Sequence, residues 1–243
     1  MKRILLMVFR LLYIAPYYLY RIWNFGKQEP VDYDAAFSYI QMITRRANHA
    51  GRVTVEVHGQ ENVPKENGFI FFPNHQGMFD VLVFLATSSV PFSFVFKKEI
   101  SNIILLKQVI AALGAIPIDR KDVRQSMQVI NKMAEEVKKG RNFLIFAEGT
   151  RSRNGNQLLD FKGGSFKSAQ RAKCPIVPCA LIDSFVPFDK STIRPVTVKL
   201  YYLKPLYYEE YKDMKTTDIA AEVKRRIEEK IAQDAANEAA ASM

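Results

Sequence analysis

Phe69-Ile70-Phe71-Phe72-Pro73-Asn74-His75-Gln76-Gly77-Met78-Phe79-Asp80 joins a wholly apolar run to a short polar turn. Four apolar residues with no polar alternation read as a strand buried on both faces. Such strands need helices on either side. Similar runs recur at Phe92 to Phe96, Phe143 to Ala147 and Ile176 to Ile182. Val196 to Leu203 alternates instead, as does Val53-Thr54-Val55-Glu56-Val57-His58, which predicts half-buried strands there. Helical stretches fall between them, near 79–86, 102–112, 123–138 and 165–172. In the tail, Ile219, Val223, Ile227 and Ile231 form one apolar helix stripe. The pattern predicts an α/β fold: a mixed, largely parallel sheet covered by helices.

The turn after the first run carries chemistry. His75 at a strand end, with Asp80 five residues on, has the parts of a general base and its orienting carboxylate. The choice of base is narrow, because the chain has only three histidines. His49 closes a predicted helix and His58 lies on the polar side of a strand.

Other loops near strand ends supply cations and glycines. They are Phe96-Lys97-Lys98-Glu99, Gly114-Ala115-Ile116-Pro117-Ile118-Asp119-Arg120, and Phe146-Ala147-Glu148-Gly149-Thr150-Arg151-Ser152 followed by Phe161-Lys162-Gly163-Gly164. Guanidinium forks and glycine-exposed N–H groups suit phosphate. Loops at one edge of a sheet converge, so these groups are expected near His75. No phosphate-binding Gly-x-x-x-x-Gly-Lys, dinucleotide glycine fingerprint or zinc-protease motif occurs. Cys174 and Cys179 lack partners for a zinc site, and no metal is expected. With no evident protein nucleophile, a histidine base would act on a hydroxyl of the substrate.

The first 50 residues differ in character. Met1 to Tyr20 is apolar and aromatic but interrupted by Arg10, and too short beyond it to span a bilayer. At about 100° per residue, Arg3, Arg10 and Arg21 share one helical direction. Leu5, Val8, Phe9, Leu12 and Trp23 fill the flanks, and Pro16 should kink or divide the helix. A second helix is expected from about Asp34 to Asn48. Residues 1–50 thus read as a membrane-interfacial helical hairpin with arginines toward lipid phosphates, and 51–243 as a catalytic domain. The net charge of +10 agrees with an anionic partner. No helix-turn-helix or RNA-platform signature accompanies it, so no nucleic acid is expected.

The blocks taken together resemble the glycerolipid acyltransferase family, specifically its lysophosphatidate acyltransferases. His75 and Asp80 match the family's His-x-x-x-x-Asp box. Gly114 to Arg120 resembles its second block, Glu148 to Ser152 matches Glu-Gly-Thr-Arg-Ser intact, and Pro175-Ile176-Val177-Pro178 resembles its proline-bearing block. The resemblance implies transfer of a fatty acyl group from an acyl thioester to the sn-2 hydroxyl of lysophosphatidic acid. His75 would be the base, oriented by Asp80. Arg120, Glu148, Gly149 and Arg151, with Lys98 and Lys162, would meet the substrate phosphate, Glu148 by holding a cation in place. Pro175 to Pro178 would border the acyl chain. Backbone N–H groups near Gly77 or in that proline block are candidates for the oxyanion. No bound cofactor is implied. Acyl-coenzyme A or acyl carrier protein would be co-substrate, at the cytoplasmic face of a membrane. Alternatives are a different lysophospholipid or glycerol-3-phosphate as acceptor, or a catalytically silent lipid-binding protein.

Overall fold

The computed structural model describes residues 2–101 and 103–241, without the side chains of Ile104 and Leu105. In chain order, three helices come first: α1 (Lys2–Leu11), α2 (Ala15–Phe25) and α3 (Tyr33–Ala50). Then follow β1 (Val53–His58), β2 (Ile70–Pro73), α4 (Asp80–Thr87), β3 (Ser93–Lys97), α5 (Ile104–Ala112) and β4 (Ile116–Ile118). After these come α6 (Val123–Lys138), β5 (Phe143–Leu144), α7 (Lys167–Ala172), β6 (Ile176–Ile182) and α8 (Val186–Asp189). The chain closes with β7 (Val196–Tyr202), α9 (Tyr208–Tyr211) and α10 (Thr216–Ala241).

The seven strands form one sheet in the order β1-β7-β6-β2-β5-β3-β4. All neighbouring pairs are parallel except β6 with β7, so the sheet is mixed and mostly parallel. The central strand β2 explains the apolar run that specifies it. Successive side chains leave a strand on opposite faces. Phe69 and Phe71 join one core with Phe37 of α3 and Phe84 of α4. Ile70 and Phe72 join the other with Met133 of α6 and Val223 of α10. All four residues at 69–72 are fully buried. The expected stripe Ile219, Val223, Ile227 and Ile231 packs into this second core. Cys174 and Cys179 are buried free thiols; burial pushes Cys174 up to about 12.

The seventh strand, Ile116–Ile118, adds to the six that the sequence pattern supplies. Three residues are too few to display a period. Its central Pro117 is tolerated because β4 lies at the sheet edge, where one missing donor breaks no ladder.

The N-terminal helices depart from expectation. The break near Pro16 is complete: α1 and α2 meet at 91° across residues 12–14. One arginine of the stripe turns inward. Arg3 is fully buried, and its guanidinium donates to the carbonyl oxygens of Gly51 at 2.5 Å, Arg52 at 3.3 Å and Arg194 at 2.7 Å. Arg10 donates to the Ala50 oxygen at 3.0 Å. Both cations therefore satisfy backbone carbonyls at and just beyond the α3 C-terminus, where the helix dipole favours positive charge. Buried Arg3 meets this chain's own oxygens in place of lipid phosphates. Met7 packs against Gly51 so closely that a Cβ there would lie 2.1 Å from its terminal methyl. Arg10 itself stays exposed, and apolar residues stand out on the same helices: Phe9 is 79% exposed and Tyr13 83%, with Leu5, Val8 and Leu12 also exposed. Among the described residues no single helix is long and apolar enough to cross a membrane.

Candidate active site

The five parallel strands β6, β2, β5, β3 and β4 deliver their C-terminal ends to one edge of the sheet. His75 leaves β2 there, and the chain turns back so that Asp80 opens α4. The turn is held by the Asp80 carboxylate itself. It accepts from the backbone N–H of Gln76 at 2.7 Å and of Gly77 at 3.1 Å. One Asp80 oxygen lies 2.8 Å from His75 Nδ1 and the other accepts from Ser184 Oγ at 2.5 Å. Asp80 is fully buried, whereas the His75 side chain is 16% exposed. A carboxylate only accepts, so Nδ1 carries the proton and Nε2 keeps its lone pair. The Phe146 ring stacks on the imidazole, with centroids 3.9 Å apart and 18° between planes. Together the carboxylate and the ring fix where Nε2 points. The arrangement can accept a proton from a hydroxyl brought to the edge of the sheet.

The segment after β5 grips His75 from the other side. Glu148 accepts the His75 backbone N–H at 2.7 Å and the Leu159 N–H at 3.0 Å. The Ser152 N–H donates to the His75 carbonyl at 2.9 Å. Both backbone groups of the histidine are thus bound by one short segment. Glu148 is buried, and burial pushes its carboxyl up to about 7 against the pull of the two N–H donors. Its carboxylate holds two backbone amides in place of the expected cation. A buried acid at a strand end is better suited to fixing a loop than to facing an anion.

The predicted cations divide. Arg120, Gly149 and Lys162 line a cavity of about 280 Å³ whose inner wall includes Phe146. Its floor is apolar, with Val95, Ile118, Ile130 and Ile145. Gly149 needs its left-handed backbone (φ +74°), and its carbonyl accepts from Arg120. Lys162 is delivered by its N–H, which donates to Ala147 at 2.9 Å. Arg151 is half-buried directly before Ser152, one residue from the contact with His75. Lys98 lies exposed on the short turn after β3 and does not line the cavity. Pro175, Ile176, Val177 and Pro178 do not line it either. Ile176 to Pro178 are buried in β6, opposite Ile70 to Phe72 of β2.

A polar network behind Asp80 is not evident in the spacing of the motifs. Ser184 is fully buried, and its N–H donates to Gln76 Oε1 at 2.8 Å. Gln76 Nε2 donates to Asn156 Oδ1 at 2.7 Å, and Asn156 Oδ1 also accepts the Asp183 N–H at 2.9 Å. Asn74 exchanges two bonds with the Leu181 backbone, at 3.0 and 2.7 Å. Asp183 and Ser184 directly follow β6, the position at which loops of a parallel sheet meet; that is the one signal that could have marked them. Among the described residues no cluster of three His, Cys, Asp or Glu side chains is arranged to hold a metal ion.

A family model described as Acyltransferase matches residues 54–182. The 1-acyl-sn-glycerol-3-phosphate acyltransferase of Borreliella burgdorferi is 31% identical over 155 residues, 63% of this chain and 62% of that protein. The enzyme of the same name from Helicobacter pylori is 29% identical over 58% of this chain and 63% of its own. The chloroplastic BAT2 enzyme of Brassica napus is 31% identical over 63% of this chain and 45% of its own. The chain thus matches less than two thirds of the length of each of these relatives. The crystal structure of the 1-acyl-sn-glycerophosphate (LPA) acyltransferase PlsC from Thermotoga maritima superposes with a TM-score of 0.75 at 25% identity. That match covers 95% of this chain and 97% of the other.

Two predictions follow from the geometry. Ser184→Ala removes one donor from a buried carboxylate and should lower unfolding free energy by about 1–3 kcal/mol in urea titrations; an unchanged midpoint would show that Asp80 does not depend on that hydroxyl. The raised Glu148 carboxyl binds a proton in the folded state between about pH 4.5 and 7 that the unfolded chain has released. Its contribution to stability is therefore greatest at low pH and falls as pH rises through that window. Denaturation midpoints of the wild type should drop relative to Glu148→Gln over the same range, whereas a relative rise would contradict a raised value.

Proposed function

The chain belongs to the acyltransferase family, and from that premise we propose that it acylates the sn-2 hydroxyl of lysophosphatidic acid with a fatty acyl thioester, giving phosphatidic acid. The relatives' names support the acceptor. The observation that carries the mechanism is the 2.8 Å contact of His75 Nδ1 with buried Asp80. In this reading Nε2 takes the hydroxyl proton as the oxygen attacks the thioester carbonyl. The tetrahedral intermediate collapses with breakage of the carbon–sulfur bond. The imidazolium returns its proton to the departing thiolate, and Asp80 stabilises the positive ring in between. Arg151, beside the catalytic loop, and Arg120 and Lys162, in the cavity wall, are the groups proposed to hold the acceptor phosphate.

The outward apolar face of α1 and α2 fits an insoluble two-chain product. We propose that Phe9, Tyr13, Trp23 and their neighbours lie in the interfacial region of an anionic bilayer, on the cytoplasmic side where thioester donors are made. Of the stripe only Arg3 is buried; Arg10 and Lys2 stand exposed on α1, where they would meet the phosphates of that bilayer.

The reaction is tested by supplying the purified chain with lysophosphatidic acid, other lysophospholipids or glycerol-3-phosphate, and either donor type, and reading product mass. Phosphatidic acid should form, and His75→Ala should reduce it by at least about 100-fold with circular dichroism unchanged. Retained turnover in that variant would remove His75 from the mechanism. Independently, a Phe9→Glu, Tyr13→Glu double variant should weaken sedimentation with phosphatidylglycerol vesicles by roughly tenfold; undiminished binding would place the membrane contact elsewhere.

A further inference from the structure

Asp183, the first residue after β6, has a left-handed backbone with φ +59°. A Cβ is crowded in that region, and a short polar side chain stays there only when hydrogen bonds hold it. The holding group is Asn156, 27 residues earlier in the chain. Its Oδ1 accepts the Asp183 N–H at 2.9 Å, and its Nδ2 donates to the Asp183 carboxylate at 3.0 Å. One amide thus grips both the backbone and the side chain of Asp183. The same Oδ1 accepts from Gln76 Nε2 at 2.7 Å. These contacts fix the amide's orientation: turned over, its NH2 would face two donors and its oxygen a carboxylate.

The next residue is the one that this conformation serves. Ser184 is fully buried and donates its hydroxyl to Asp80 at 2.5 Å. The direction of its Cα–Cβ bond follows from the backbone angles of Asp183. Relaxation of Asp183 to a negative φ would swing that hydroxyl away from the carboxylate. The residue after it touches the catalytic turn itself: a Cβ on Gly77 would lie 3.1 Å from Phe185 Cα. Residues 183–185 are therefore packed against the turn that carries His75 and Asp80. Asn156 does not line the cavity beside Phe146, so its effect on the site passes through these neighbours.

We propose that Asn156 is a positioning residue for the base: by holding Asp183 in its left-handed conformation it sets the Ser184 hydroxyl on Asp80, and through Asp80 the ring of His75. This rests on the acyl-transfer reading and adds to it a residue that lies beyond Ser152, outside the blocks that mark the family. Asn156 acts on the histidine through a chain of contacts, Asp183 to Ser184 to Asp80, in which every link is a hydrogen bond or a peptide bond.

Exchanging the two groups tests it. Asn156→Asp keeps an oxygen for Gln76 and for the Asp183 N–H but sets one carboxylate against another. Adding Asp183→Asn returns a donor to that contact with the groups reversed. With lysophosphatidic acid as acceptor and palmitoyl-coenzyme A or palmitoyl carrier protein as donor, Asn156→Asp should lower kcat by about tenfold and leave KM for the acceptor within about twofold. The exchanged pair should recover to within about threefold of wild type. Asn156→Ala adds no charge and keeps the test open if Asn156→Asp does not fold; it should lose kcat likewise and gain nothing from Asp183→Asn. Nitrogen-15 shifts of the His75 ring, which need no turnover, should move in either single variant and return in the exchanged pair. Full kcat in Asn156→Asp and Asn156→Ala, a loss confined to KM, unmoved ring shifts, or an exchanged pair no better than Asn156→Asp overturns the proposal. Ring shifts that follow the expected pattern in a wild type unable to form phosphatidic acid would sustain the positioning role and refute the acyl-transfer reading beneath it.

Discussion

Four donors converge on the buried carboxylate of Asp80: the His75 ring, the Gln76 and Gly77 backbone and the Ser184 hydroxyl. An uncompensated charge in that position would cost several kcal/mol, so the carboxylate and its donors stand or fall together. The turn between β2 and α4 exists in its observed form because those backbone groups must reach Asp80. The imidazole inherits its tautomer and direction from the same contact. Ser184 extends the constraint to the loop after β6, and Glu148 with Ser152 extends it to the segment after β5. Three strand ends from the middle of the sheet are thereby fastened around one histidine. The precision of the site comes from backbone amides and carbonyls on a rigid sheet, with the reactive ring as the movable part removed.

The apolar continuity of β2 is the condition for that rigidity. Because Phe69 and Phe71 face one core while Ile70 and Phe72 face the other, the strand carrying His75 is clamped from both sides. A strand with one wet face would leave the histidine on a surface free to bend. The two layers also separate tasks. The layer containing α1 and α2 exposes an apolar, aromatic surface, and the opposite layer, built on α6 and α7, carries the cavity and its cations.

Sequence made most of the sheet legible because unbroken apolar runs have few other solutions. It also made His75 and Asp80 legible, since their five-residue spacing is what one tight turn needs. What it concealed were partners far apart in the chain. Glu148 looked like a member of a phosphate site by its neighbours, yet its oxygens bind two amides, which no local pattern encodes. Ser184 is an ordinary serine until β6 is placed beside β2. The helical wheel groups Arg3 and Arg10 but does not say that Arg3 is buried and Arg10 exposed. Carbonyls at the end of α3, brought there by the fold, decided it. Pro175 to Pro178 form a motif in the sequence; that Ile176 to Pro178 lie beside Ile70 to Phe72 of β2 is visible only in the fold.

The central claim is that Asp80 holds the proton on Nδ1 and leaves Nε2 as the base. It is tested most directly by long-range proton–nitrogen correlation spectra of protein labelled with nitrogen-15 in its three histidines, with His75 assigned by its loss in His75→Ala. Above the titration of the ring, the account predicts the Nδ1-protonated neutral tautomer for His75, the rarer form in free histidine. A His75 signal from the Nε2-protonated tautomer would contradict it.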